Sequence, residues 1–393
     1  MRTVVVAASL ATLGCNPPRE EPLDLVARLE SAPLGERDRL VREAIEGNGG
    51  TPIVEVNSAL FFVEGSSGPP PRLLADFNGW GEPEKRLAEA AMAPLEGTSW
   101  YYMKRALDPR ARIEYAIARE STEDDALHLD PGNPRTVESF SRSYSELRMP
   151  AYSEAPELAP DPSLPHGRLV ETELESRIRG NRRKILVYLP AGYDESGNRR
   201  YPTAYFGDGS EYVSNVPVPR ILDYTIARGS VRPLIAVFIE PIPRNEEYRM
   251  NDEYRRFLVE ELVPSIDNRY RTIASAEARA VLGGSRGGLA AADVAYFHAD
   301  TFGACGAIAP AASPMNLVDV VAQGEVKPVR FFVLVGLYDL DWRPDGIALY
   351  DALRSNGYDV EFLEIPEGHS WNAWKSHIDD VLTFLFPAEG RAS

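Results

Sequence analysis

Residues 166–393 predict an α/β fold, a mostly parallel sheet with helices on both faces, and residues 51–152 predict a small all-β sandwich in front of it. Three observations carry this reading. In the rear part, short apolar runs that read as buried strands alternate with amphipathic stretches of helical period. In the front part, short strands follow one another through turn clusters with no long helix between them. Between Ala278 and His298 an apolar run (Ala280, Val281, Leu282) enters the turn Gly283-Gly284-Ser285-Arg286-Gly287, and an Ala-rich helical pattern leaves it.

The length of 393 residues favours two domains with a terminal extension, and the apolar fraction of 44% suffices for packed cores. A net charge of -17 argues against a nucleic-acid partner, because affinity for a phosphate backbone comes from clustered Lys and Arg. The two cysteines, Cys15 and Cys305, form no disulfide framework. Residues 1–15 combine Arg2, the apolar run Val4–Leu13 and Gly14-Cys15, the outline of an export signal that ends at a lipid-acceptor cysteine. The apolar run is too short to span a bilayer, so the predicted protein lies in the cell envelope and meets the membrane only through that lipid anchor. Residues 16–50 are expected to form a polar tether and then a short helical segment, with apolar positions from Leu23 to Ile45 and Pro33 and Gly35 between them.

In the front part the strands are Ile53–Val56, Leu60–Val63, Arg72–Ala75, Trp100–Lys104 and Ile113–Ala118. Trp80 and Trp100 are expected as hairpin-packing aromatics, with a carbohydrate platform as the alternative. Residues 153–165, rich in Pro and Ser, form the expected linker. The rear part opens with two antiparallel strands, Leu169–Ile178 and Arg183–Leu189, followed by Thr203–Phe206 and Leu234–Ile239. A helical stretch, Phe257–Tyr270, leads into the strand before Ser285. Beyond it come Gly306–Ala309, Val329–Val335, a helix over Gly346–Ser355, Val360–Ile365 and a final helix over Trp371–Phe386.

The glycine-flanked turn has the form of a nucleophile elbow. The small neighbours let Ser285 take a strained conformation, and the helix beyond aims its N–H groups at a developing oxyanion. A serine nucleophile needs an oriented base, and only five histidines are present. His369, in a loop after the last strand, is the expected base; His377 reads as a surface residue of the final helix. The acid is expected after Val329–Val335. Asp339 is the first choice there, Asp341 the alternative, and Asp345 a helix cap. The N–H of Arg286 is one expected oxyanion donor, with the second from the loop of Asp208, Gly209 and Ser210, represented by Gly209. Arg244 and Trp371 are candidate substrate contacts, although Arg244 can equally pair with a carboxylate such as Glu247. Trp371 and Trp374, on one helix face, can equally seat that helix.

Two sets of residues carry a family resemblance. Ala75-Asp76-Phe77-Asn78-Gly79-Trp80 and Asp130-Pro131-Gly132-Asn133-Pro134 resemble the immunoglobulin-like early-set modules found before enterochelin esterases. Val187-Tyr188-Leu189-Pro190, Asp208-Gly209, Arg244 with Glu247-Tyr248, Glu261-Leu262-Val263-Pro264, the elbow, Gly336 with Asp339, and Gly368-His369-Ser370-Trp371 with Trp374 resemble the enterochelin esterase and esterase D branch of the α/β-hydrolases. Phe206-Gly207 departs from the longer apolar strand end of many relatives. The resemblance implies hydrolysis of a carboxylic ester through an acyl-serine, without cofactor or metal. The implied substrates are a siderophore trilactone or related aryl or acyl ester, with feruloyl or acetyl esters of carbohydrate as the alternative. A surface binding protein without activity is the reading from another class.

Overall fold

The computed structural model describes residues 24–65, 69–82, 86–119, 127–140 and 142–388. Cys15 and the expected export signal lie outside the described residues.

The front part contains β1 (Ile53–Val54), β2 (Ser58–Glu64), β3 (Arg72–Ala75), β4 (Ala93–Pro94), β5 (Trp100–Ala106), β6 (Arg112–Ala118), β7 (Leu127–His128), β8 (Thr136–Ser139) and β9 (Arg142–Arg148). One antiparallel sheet has the order β1-β2-β5-β4, and a second has β3-β6-β9-β8, with β7 on β6. Side chains of both sheets, among them Phe61, Val63, Leu73, Ile113 and Leu147, share one core. The run Ser58–Val63 is buried throughout because both faces of β2 are covered. Ala59, Phe61 and Val63 enter the inter-sheet core, while Leu60 and Phe62 pack under the helical pair Leu25–Ser31 and Leu34–Asn48 through Leu29 and Val41. The strands β8 and β9 escaped the sequence reading because Thr136–Ser139 and Arg142–Arg148 are dominated by polar residues.

The rear part adds β10 (Arg168–Ser176), β11 (Asn181–Leu189), β12 (Thr203–Gly207), β13 (Ile235–Ile239), β14 (Arg279–Gly284), β15 (Ala304–Ile308), β16 (Arg330–Gly336) and β17 (Val360–Ile365). They form one sheet in the order β10-β11-β13-β12-β14-β15-β16-β17. The β10–β11 and β11–β13 pairs are antiparallel, and every pair from β13 to β17 is parallel. Alternation along each strand feeds two cores. In β14, Val281 joins a core with Phe257 and the helix Arg286–Phe297, while Ala280 and Leu282 join a second with Ile221, Trp374 and Leu382. Each fully buried Leu or Phe contributes about 1.5–3 kcal/mol, so both helical layers are held to the sheet by tens of such side chains.

The structure differs from the sequence expectation in two useful places. Helices at Gly209–Ser214 and Val218–Ala227 fill the segment between β12 and β13, where Pro217 and Pro219 hid the helical period. The expected single helix at the C-terminal end is two, Trp371–Lys375 and Ile378–Leu385, with His377 at the N-cap of the second.

Candidate active site

Ser285 follows the last residue of β14 and caps the helix Arg286–Phe297 with φ 57° and ψ -124°. No other non-glycine residue of that strand-to-helix passage has positive φ. The neighbours show why the turn is glycine-rich. A Cβ on Gly283 would stand 2.2 Å from the carbonyl oxygen of Gly287, and one on Gly284 would stand 2.7 Å from the Trp374 ring. The Ser285 N–H donates to the carbonyl of Ile308 at 2.8 Å, which pins the elbow to the end of β15.

The loop after β17 carries His369, whose Nδ1 lies 2.6 Å from Oδ2 of Asp339. Asp339 is 3% exposed and follows β16, and its Oδ1 accepts from the N–H of Trp342 at 3.2 Å. Gly336 lets the two loops touch, since a Cβ there would meet the carbonyl oxygen of Glu367 at 2.6 Å. Trp374 fills the space between base loop and elbow: its ring meets His369 edge-on at 4.9 Å and also covers Gly284. Asp341 instead pairs with Arg86 of the front part, Nη1 to Oδ1 2.6 Å. Asp345 is in the first turn of the helix Arg343–Ser355 rather than at its N-cap, and it accepts from the N–H and Oγ of Ser313.

Of the three candidates for a second oxyanion donor, two have their N–H engaged. Asp208 donates to Oη of Tyr248 at 2.8 Å, and Ser210 donates to Glu240 at 3.2 Å. Gly209 and Arg286 each begin a helix, where first-turn N–H groups have no intrahelical acceptor. Asp208 brings these two helix starts together, because a Cβ on Gly287 would lie 3.0 Å from its Oδ2.

Arg244 is held by Asp208 through Nε and Nη2 at 2.7 and 3.0 Å. The expected carboxylate partner Glu247 is instead taken by Arg183 at 2.7 Å and Arg179 at 3.2 Å. Burial raises the Asp208 carboxyl above its ordinary range, with Arg244 opposing that rise. Trp371 is buried against Tyr212 and Trp374, so it seats its helix, and Trp374 is the indole beside the base.

The front part reaches the base loop directly, which the sequence did not disclose. Arg112 of β6 is 3% exposed and bonds Glu367 at 2.8 Å, Glu114 at 2.9 Å and Glu146 at 2.8 Å. Glu114 also accepts from Ser370 Oγ at 2.9 Å and from Asn372 Nδ2 at 3.1 Å. Asp76 sits against Gly368, where a Cβ would lie 2.2 Å from its Cγ. Burial, reinforced by the charge of Glu114, raises the Asp76 carboxyl well above the usual range. Glu367 before His369, and Ser370 and Asn372 after it, are thus gripped by side chains from β6. Their partners are as many as 258 residues away in the chain, beyond any local pattern.

A cleft of about 350 Å³ opens at this junction, with His369 and Asp341 on the rear side and Trp80, Leu127, Phe140 and Tyr144 on the front. Among roomier surface depressions, those of about 490 and 570 Å³ share no residue with it, and one of about 510 Å³ shares Phe140.

Serine after β14, aspartate after β16 and histidine after β17 of this largely parallel sheet, in that chain order, are the arrangement of the α/β-hydrolase class. Residues 176–323 match the model of the family described as "Putative esterase". The chain is 27% identical over 282 residues to an endo-1,4-beta-xylanase/feruloyl esterase of Xylanibacter ruminicola, covering 67% of this chain but only 37% of that protein. In fold it is similar to the ferric enterobactin esterase of Salmonella typhimurium, with TM-score 0.69, 19% identity and coverage of 86% and 96% of the two chains. A ferulic acid esterase matches at TM-score 0.50 and 23% identity, over 56% of this chain and 98% of its own. The chain is therefore esterase-like in sequence over residues 176–323 and enterochelin-esterase-like in fold over most of its length.

Proposed function

We propose that the protein hydrolyses carboxylic esters through Ser285, with His369 as general base and Asp339 as the acid that orients it. The 2.6 Å contact between His369 Nδ1 and Asp339 Oδ2 carries this reading. A proton kept on Nδ1 by that carboxylate leaves Nε2 as the acceptor for the serine proton. Ser285 Oγ attacks the ester carbonyl as its proton passes to His369. The oxyanion takes hydrogen bonds from the N–H groups of Arg286 and Gly209, and the alcohol leaves with the proton returned by His369. Water then attacks the acyl-serine by the same base, releasing the acid and restoring Ser285. The exported, Cys15-lipidated state is part of the same proposal, and fatty-acid labelling that persists in Cys15→Ser would contradict it.

Two ester classes have support. A siderophore trilactone is favoured by the likeness to an enterobactin esterase across both parts of the chain. An aryl or acetyl ester of carbohydrate is favoured by the relative named as a feruloyl esterase. Hydrolysis of p-nitrophenyl acetate by the full chain and by Ser285→Ala tests the reaction itself. The variant is expected to lose activity by several orders of magnitude while keeping its melting temperature, and unchanged turnover contradicts the assignment.

A further inference from the structure

We infer that the front module supplies the ring-binding wall of the substrate cleft, and that this wall selects an uncharged, hydroxyl-bearing ring over a polyanionic ligand. The inference rests on the esterase reading above and concerns what part of the ester lies against β3, β8 and β9.

Trp80 is a preset surface. Its Nε1 donates to Asp76 Oδ1 at 3.1 Å, and its ring meets the Tyr144 ring at 4.8 Å with an interplanar angle of 65°. Trp80 packs against the cluster of Leu74, Ala90 and Ala118, and the residue remains partly exposed where it lines the cleft. Its backbone is left-handed at φ 57°, directly after Gly79 at φ 57°. Gly79, Trp80 and Gly81 are successive positive-φ residues of the turn after β3, and that turn presents the indole to the cleft. Phe140 joins it from the tight turn between β8 and β9, whose Ser139–Arg142 pairing accounts for its φ of 49°; it is 58% exposed and lines the same cleft. Two turn-borne aromatics thus share with His369 a cleft the size of one or two rings.

The polar lining sets the charge preference. No Lys or Arg lines the cleft among the described residues, whereas Asp76, Glu82, Glu114 and Asp341 do. Arg86 is committed to Asp341, and Arg112 to its three carboxylates. Arg286 is not a lining residue; its guanidinium lies 6.0 Å from the Trp342 ring. A ligand of several negative charges would meet Glu82 with no free cation among the lining residues to answer it, since Arg86 is already spent on Asp341 and Arg112 on Glu114. Hydroxyl groups find acceptors in the same carboxylates, and the ring face finds Trp80 and Phe140. Sugars and phenols share this chemistry.

The test compares kcat/KM of the full chain on vinyl acetate, which has no ring, methyl ferulate, acetylated xylotriose and a ferric tris-catecholate trilactone. Either ring ester is expected to exceed the trilactone, methyl ferulate assigning the wall to a phenol and acetylated xylotriose to a sugar. Trp80→Ala and Phe140→Ala are each expected to lower kcat/KM for the preferred ring ester about tenfold more than for vinyl acetate, chiefly through KM. Phe140→Ala keeps the test valid if Trp80→Ala does not fold, because Phe140 is largely exposed. The inference is overturned if the trilactone is the best substrate, or if both variants affect ring and ringless esters equally. Failure to hydrolyse any of the four esters overturns the esterase reading instead.

Discussion

A histidine serves as a base only when one ring nitrogen is kept protonated and the other aimed, and for the proposed base His369 the first condition rests on Asp339 Oδ2, 2.6 Å from its Nδ1. The two aspartates after β16 differ in what they face. Asp339 is buried against the imidazole, whereas Asp341 is half-exposed on Arg86. Asp339→Asn is expected to lower kcat by about 10⁴ through the wrong tautomer, and Asp341→Asn by at least a hundredfold less, on the order of the hydrogen-bond loss alone. Steady-state kinetics on p-nitrophenyl acetate separate the two; equal losses would contradict the assignment. The elbow at Ser285 and the candidacy of His369 in the loop after the last strand were legible from the glycine pattern and the scarcity of histidines. The choice between Asp339 and Asp341 was not, because both stand just past the same strand. Two long-range contacts distinguish them, His369 on Asp339 and, from 255 residues earlier, Arg86 on Asp341.

At the scale of elements, the base loop is held by close approaches with no room for a larger residue. Gly368→Ala would drive a methyl into Asp76, so it is expected to displace His369 and lower kcat about a hundredfold or more, with a smaller effect on thermal stability. The break between the last two helices has an electrostatic consequence. His377, expected on a helix surface, caps the second helix with Nε2 3.3 Å from Glu367 and Nδ1 3.6 Å from Asp380. Burial works against its charge, but these two carboxylates outweigh it and push its pKa up to about 9 from 6.5. A base with a raised folded-state pKa stabilises the fold fully below the unfolded value and loses that contribution as pH rises through the folded one. Melting temperature is therefore expected to fall between pH 6.5 and 9, by the equivalent of about 3 kcal/mol at most. In His377→Asn this component of the fall should be absent; an unchanged pH profile in the variant would contradict the account. The sequence showed the amphipathic run across 371–386 but not its interruption, since the partner that turns His377 inward lies in the preceding loop.

Across the whole molecule, the two-part order of sandwich and α/β sheet was readable because strand spacing changes near residue 165. The coupling of the parts was not readable. It depends on a buried arginine, and Arg112 sits in a strand where a local pattern predicts only alternation. Removing one partner of a buried ion network leaves the others uncompensated, so Arg112→Leu is expected to destabilise the protein by about 3–5 kcal/mol. Calorimetry of the full chain tests this. A fall confined to one of two resolved transitions would show that the network serves only the front part, and a shared fall is the expected result. The same network explains how a sandwich far from the serine in sequence comes to wall the cleft at His369.

The central claim is that Ser285 is the nucleophile, and covalent capture tests it most directly. The full chain is treated with a fluorophosphonate and digested, and the adduct is located by mass spectrometry. The account predicts a single phosphonyl group on the peptide that contains Ser285, with loss of ester hydrolysis in proportion to labelling and no adduct in Ser285→Ala. Labelling at another serine, or full hydrolytic activity in a chain modified at Ser285, would contradict it.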